Sequence, residues 1–450
     1  MRYSLIDIQI STRDGTMAKD SLARNVLSGQ KRPGLELVRQ LPVGVGQGLI
    51  QSPTLGPLAI IANSIYSVTT GALIAAIPSG VGPYDFVKPV SSGLIAFKDA
   101  TNMWTLLDTV VTQMTAAPTN MLPGFVFLDG TYYVMTAEGK IHGSGLNDLT
   151  TWDPLNMLVL NAELGTPVCI AKQLNYVVGV AQNFCMFYYD AGNPPPGSPL
   201  SPAQNTYMNL GCTTAGSVAQ IGNLSLFIGT NATSGRSAFS FLNMQPQIIS
   251  NVAVDKILKE SDLSDVSALA LKIAGNDVYL LTLRDINTTL ILDFNSKQWL
   301  VWSSSTSSMP DPVVQNSYQQ SYFLPKYYLQ QPVNDLFLHE SNGKVYTMLP
   351  TIWQDDGLPI DVQYITKQLE GETSDYQRIA SAEIVGDKVD SKAYIRFTDD
   401  DYSHWSSYRE VDLLQTRSQT VRQGATRRRA YQIRHTANTP LNLRELLLRI

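Results

Sequence analysis

The sequence predicts an all-β protein: a β-propeller of about six or seven irregular blades, followed by a C-terminal β-sandwich. Three observations carry that prediction. Short apolar or β-branched runs, separated by turn residues, recur in clusters along most of the chain. Helical spacing is scarce. Beyond about residue 356 the character changes to alternating strands with charged outer faces. The expected organisation is an N-terminal extended segment over 1–45, a propeller over 46–355 and a sandwich over 356–450 with an Arg-rich end. Two packed sandwiches would give a similar strand density and stand as the alternative architecture.

The elements follow in order. Leu58–Ala62, Ile65–Thr69 and Leu73–Ile77 read as a tight meander, and Leu94–Phe97 with Trp104–Val111 form a second group. Phe125–Leu128 and Tyr132–Thr136 flank Asp129-Gly130, a pair that supplies the positive φ angles of a type I′ hairpin turn. Similar groups begin near residues 168, 217, 268 and 334, making seven clusters in all. A small sheet buries both faces only by stacking on neighbours, which an arrangement around an axis provides. Val254–Ser261 has the spacing of one short helix. Asn193–Pro202 and Ser303–Pro312 read as exposed loops.

A chain of 450 residues exceeds one ordinary core and suggests two or three domains. With 44% hydrophobic and only 16% charged residues it is not disordered, and its surface is expected to be hidden in a core or an assembly. Residues 40–84 carry no formal charge, yet Pro42, Pro53, Pro57 and Pro78 break the stretch, so no membrane-spanning segment is expected. Met1–Gln9 does not read as a secretory signal. Cys169, Cys185 and Cys212 lack metal-like spacing and read as buried free thiols in a reducing compartment.

The search for chemistry yields no catalytic set, no cofactor motif and no metal motif. Phosphate-loop, His-Glu-x-x-His and Gly-x-Ser-x-Gly patterns are absent from the sequence. His142, His339, His404 and His435 lie far apart and read as solvated or core-edge side chains. Asp399-Asp400-Asp401 and Asp355-Asp356-Gly357 read as turns. Ser144–Trp152 loosely resembles the aspartate box of sialidase propellers, but Leu149 stands where that motif has glycine, and no carboxylate pair is nominated.

The strongest polar signal is at the end of the chain. Arg409–Ile450 holds nine arginines against three carboxylates, a charge of +6, whereas the whole chain has −5, leaving −11 on residues 1–408. Arg422, Arg427, Arg428, Arg429 and Arg434 are the candidate contact residues, toward a partner subunit or a nucleic-acid backbone. Salt bridges to an acidic neighbour are the plainer reading of the same residues.

Taken in order, several segments resemble one family: the tail hub or nozzle proteins of short-tailed bacteriophages, also called packaged-DNA stabilisation proteins. They are Asn25-Val26-Leu27 with Lys31-Arg32-Pro33-Gly34-Leu35; Ser144, Leu146-Asn147-Asp148 and Trp152 with Ala162-Glu163 and Pro167; Gly211–Ser217 with Ile221 and Ser225–Gly229; Ile248–Ser250 with Ile257; Asn287–Trp302; and Arg427-Arg428-Arg429, Tyr431, Arg434, Thr439-Pro440-Leu441 and Leu446–Ile450. Asn193–Pro202 and residues 303–335 depart from the pattern.

The resemblance implies a structural virion protein with no enzymatic activity, made in the bacterial host cytoplasm. It implies a hexameric ring below the portal and the portal–tail adaptor protein, closing the DNA channel and retaining packaged DNA. It also implies attachment of tail spikes or fibres and of a needle or plug, and non-specific passage of double-stranded DNA. An acidic bore would repel that duplex and let it slide. A carbohydrate-binding or glycosidase-type propeller and a nucleic-acid-binding module are the alternatives. The first requires exposed tryptophans and paired carboxylates on one rim.

Overall fold

The computed structural model describes residues 2–4, 17–25, 28–87, 93–160, 165–204, 206–222, 224–231, 235–242, 244–273, 275–305, 320–370 and 376–450. Seven small antiparallel sheets succeed one another among these residues. Blade one is Gly46–Ser52, Gly56–Ile61, Ser64–Ser67 and Leu73–Ala76. Blade two is Asp85–Val87, Ile95–Lys98, Met103–Leu107 and Val110–Gln113. Blade three runs from Val126–Leu128 to Met157–Val159, and blade four from Pro167–Gln173 to Leu200–Pro202. In blade five the long pair Leu224–Asn231 and Gly235–Leu242 is flanked by Gly211–Cys212 and Ala219–Ile221 on one side and Gln245–Ile248 on the other. Blade six spans Val266–Ile273 to Gln298–Ser305. Blade seven is Pro325–Leu329, Leu336–His339 and Lys344–Leu349, completed by Gly34–Gln40 from the start of the chain.

The energetics of the ring lie between the sheets. One apolar core fills each junction, such as Leu58, Ile60, Phe97 and Trp104 between blades one and two. Tyr133, Ile141, Ile170 and Tyr188 lie between three and four, and Phe187, Phe227 and Phe241 between four and five. Leu49, Ile61, Leu338 and Val345 join blade seven back to blade one. Each sheet is therefore dry on both faces, which explains strands such as Thr131–Met135 with no exposed residue. Asp129 and Gly130 have φ of 48° and 89°, so the predicted hairpin turn forms between Leu128 and Thr131.

The second unit is two facing sheets. One pairs Ser21–Asn25, Ser28–Lys31, Asn442–Arg449, Gln377–Gly386 and Ser418–Thr426, with Arg2–Ser4 along Asn442–Arg449. The other pairs Met17–Lys19, Val362–Ile365, Arg428–His435, Lys392–Thr398 and Arg409–Asp412. Ile379, Ile384, Leu446 and Leu448 from the first face Ile395, Tyr431 and Ile433 from the second, in one core continuous with blades six and seven. Met17–Lys19 also runs parallel to the last strand of blade six, with Lys19 opposite Val301.

Several elements differ from the expectation. The segment 1–45 is no free extension: its described residues supply strands to the sandwich and the closing strand of the propeller. Those partners lie some 300 to 400 residues away, a separation that local patterning does not report. Leu200–Pro202, expected as loop, is the outer strand of blade four, where Pro202 is tolerated because an edge strand has a free side. Ser303–Ser305 continues the last strand of blade six, while 306–312 lies outside the described residues, as do Val26-Leu27 and Ala162-Glu163. The helix starts earlier, at Val252–Glu260, because the Asn251 side chain caps it by accepting from the Val254 N–H at 3.0 Å.

Candidate contact surfaces and the joint between the two units

The arginine end divides into buried and exposed halves. Arg429 and Arg434 are both buried on the strand Arg428–His435 but on opposite faces, Arg429 on the core side with Tyr431 and Ile433 and Arg434 on the other. The turn after Lys392–Thr398 carries Asp399 to Arg429, which grips it two-pronged, with Nε and Nη2 each 2.6 Å from a carboxylate oxygen. Its guanidinium also stacks 3.8 Å from the centre of the Phe397 ring. Burial opposes the charge, but the Asp399 hydrogen bonds outweigh it and raise the Arg429 pKa. Arg434 Nε donates to buried Asp361 at 2.7 Å. Neither Arg429 nor Arg434 is a surface contact residue, which corrects the expectation for these two.

Arg422, Arg427 and Arg428 do lie on the surface. Arg428 pairs with exposed Asp401 at 3.1 Å, and Arg427 lies over the exposed Tyr376 ring at 4.7 Å. Arg422 has a left-handed φ of 57° at the bulge within the strand Ser418–Thr426. The acidic answer to the arginines is inside the same unit: residues 356–450 contain fourteen Lys and Arg and fourteen Asp and Glu, so the sandwich is neutral. Taking the sum from residue 409 onward hid this, because Asp361, Asp399 and Asp401 precede the arginines they pair with.

A second constellation joins the sandwich to the propeller. Lys31 ends, and Arg32 directly follows, the strand Ser28–Lys31, which lies between Ser21–Asn25 and Asn442–Arg449 in the sandwich, and Pro33-Gly34 leads into the closing strand of blade seven. Arg32 is fully buried and every N–H of its fork has a partner. Nε donates to Asp20 (3.0 Å), Nη1 to Asp355 (3.0 Å) and the Pro33 carbonyl (3.2 Å), and Nη2 to the Ser303 carbonyl (2.8 Å) and the other Asp355 oxygen. Trp302 and Phe323 pack against the guanidinium, with ring centres 5.4 and 5.3 Å away. Asp20 additionally accepts from the Ser303 N–H and hydroxyl, and Asp355 from the Leu35 N–H. Burial disfavours the cation, but Asp355 and Asp20 outweigh it and hold the pKa above that of an ordinary arginine. Gly34 is required beside this cluster, since a Cβ there would stand 2.2 Å from the Gln354 carbonyl oxygen.

Lys31 and His435 complete the joint. Lys31 Nζ donates to the Ala437 carbonyl at 2.8 Å, and burial, with the adjacent Arg32 charge, brings its pKa down to about 7. His435 Nε2 lies 3.1 Å from the Ser391 hydroxyl, and burial, helped by Lys31, pushes its pKa down to about 3. An ordinary histidine titrates near 6.5, so between about pH 6.5 and 3 the unfolded chain binds a proton that the folded chain refuses. The His435 contribution to stability is complete above that window and falls as the pH drops through it. The melting temperature is expected to decrease from pH 7 to pH 5, and His435→Gln, which does not titrate, to flatten that decrease. An unchanged slope in the variant would remove His435 as the cause.

Elsewhere the polar groups are structural. Asp148 accepts from the Thr150 N–H at 2.8 Å and from the hydroxyls of Thr150 and Thr151 at 2.6 Å each, so the box-like turn caps itself. His404 pairs with Asp400 at 2.5 Å on the surface. Cys169, Cys185 and Cys212 are free and buried. Among the described residues no group of three or more His, Cys, Asp or Glu side chains is placed to hold a metal ion, and no helix is long and apolar enough to cross a membrane.

Comparison with known proteins bears on this architecture. No curated protein matches the chain. Solved structures that resemble it include BamB from Moraxella catarrhalis (10% identity, TM-score 0.41, 78% of this chain and 98% of that one). The Pan2 WD40 domain of Neurospora crassa is another (7% identity, TM-score 0.42, 71% and 94%). The family model described as bacteriophage P22 Gp10, β-propeller, matches residues 32–322, from the Arg32 clamp through blade six and into the approach to blade seven. The chain belongs to that phage-stabilisation family and is a tail hub or nozzle protein of the virion.

Proposed function

We propose that the chain forms a hexameric ring below the portal and the portal–tail adaptor, closes the DNA exit channel after packaging, and offers attachment to spikes or fibres and to a needle or plug. The family match over residues 32–322 is the observation that carries this reading. The physical support is stiffness. Among the described residues, seven inter-blade cores and a joint made of buried ion pairs tie the sheets and the two units together, which suits a part loaded by pressurised DNA. Its role is mechanical: it holds DNA by blocking the exit, while duplex passes without base-specific contact. Synthesis in the host cytoplasm and incorporation into the tail follow from the same reading.

Of the five candidate arginines, Arg422, Arg427 and Arg428 are the ones exposed to a neighbouring protein, and their forks fit carboxylates there. Particles made without this chain are expected to fill with DNA and then lose it, as read by electron microscopy. Heads that stay full would overturn the proposal. Arg427→Glu with Arg428→Glu is expected to weaken attachment of one tail component while the purified chain melts as before; unaltered tails would remove these residues from the contact.

A further inference from the structure

Charge is distributed around the propeller in an unusual way. Residues 40–84 and 109–128 carry no formal charge, and neither do residues 237–254. The first two stretches include the outer edges of blades one and two, and the third includes the outer edge of blade five. At each place the last strand leaves one side of its backbone unpaired: Leu73–Ala76, Val110–Gln113 and Gln245–Ile248. Proteins usually blunt such edges with charge, and blades one and two do not. Large apolar side chains stand out instead, with Leu73 58%, Val110 62% and Ile248 61% exposed, joined by Leu107 and Leu242. Asp108 is the one carboxylate at the margin of the first patch. Blade three also exposes Leu155 and Val159, but Asp148 and Asp153 stand in the loop beside them. Blade six has its outer strand covered by Met17–Lys19 of the same chain.

We infer that the uncharged outer edge of blades one and two docks on the uncharged outer edge of blade five of a second copy, head to tail around the ring. This rests on the ring proposed above and identifies its subunit contact. Two features select the occupant. The edge strands themselves carry no charge, with Arg39 at the margin of the first, donating to the Val68 carbonyl at 3.2 Å, and Lys256 and Lys259 of the helix Val252–Glu260 exposed near the second. The strand faces therefore match each other in desolvation cost. They also lie on different blades, separated by blades six and seven. Two distinct complementary patches generate a repeating heterologous contact, whereas one self-complementary patch gives only a dimer. Pro246 removes a backbone donor from the blade-five edge, so the contact is side-chain packing and not a continuous sheet.

Cross-linking in assembled particles tests this. Because the three native cysteines are buried, a bis-maleimide should react only with introduced ones. Leu73→Cys combined with Ile248→Cys is expected to give a ladder of dimers, trimers and higher multiples, while each single variant gives monomer only. Dimers from Leu73→Cys alone would mean a self-complementary contact and overturn the inference. Monomer only from the double variant, in particles that retain DNA and contain the chain in their tails, would also overturn it and leave the ring standing. Particles whose tails lack the chain would overturn the ring itself, and the inference with it.

Discussion

Arg32→Met is expected to cost the protein about 3–5 kcal/mol, the range for removing one partner of a buried ion pair. The loss comes less from the missing attraction than from what remains. Asp20 and Asp355 would keep their buried positions with the cation gone, and the Ser303 carbonyl would lose a donor. Arg32→Lys is expected to rescue little, because a single ammonium cannot supply five N–H groups in a planar fork or fill the slot between Trp302 and Phe323. Adding Asp20→Asn and Asp355→Asn to Arg32→Met should recover part of the loss by removing the stranded charges. Denaturant melts followed by tryptophan fluorescence provide the measurement, since Trp302 sits in the cluster. A midpoint for Arg32→Met equal to that of the parent chain would show that the clamp is dispensable.

The same cluster shows where sequence reading reaches its limit. The run Lys31-Arg32-Pro33-Gly34-Leu35 stood out as one segment of the family resemblance. Nothing local, however, shows that Arg32 meets Asp355, since the two are 323 residues apart. The blades were legible because each is a local meander: short apolar runs and turns such as Asp129-Gly130 are written in adjacent residues. The seven clusters found in the sequence correspond to the seven sheets. The innermost strand Gly46–Ser52 escaped notice because Gly46 and Gly48 dilute its apolar pattern; a Cβ at Gly48 would press on Phe86 of blade two at 2.6 Å. Among the arginines, sequence proximity suggested one basic patch. Strand alternation instead turns Arg429 inward while Arg428 stays on the surface, and the Asp triplet that receives both looked like an unrelated turn.

Deleting residues 1–40 is expected to have the largest effect of any change considered, a loss of the soluble folded chain. Gly34–Gln40 pairs with Lys344–Leu349 from one end to the other, and without it blade seven exposes a long edge beside the joint to blade one. Met17–Lys19 holds the last strand of blade six to Val362–Ile365, so its removal parts the two units as well. Ser21–Asn25 and Ser28–Lys31 leave the sandwich with them, and Leu22 and Leu35 leave the shared core. Each loss falls at a different place, so no local repacking compensates for all of them. Deleting only residues 1–16 removes the short pairing of Arg2–Ser4 with Asn442–Arg449 and spares every strand that closes the ring. That shorter deletion is therefore expected to remain soluble, with a melting temperature within about 2 °C of the full chain, equivalent to roughly 1–2 kcal/mol at this size. Yield, near-ultraviolet circular dichroism and thermal melts distinguish the two deletions. A 1–40 deletion that melts cooperatively near the parent temperature would show that the ring closes without its first strand. The propeller would then owe its stability to the seven inter-blade cores alone and not to the joining of the chain's two ends.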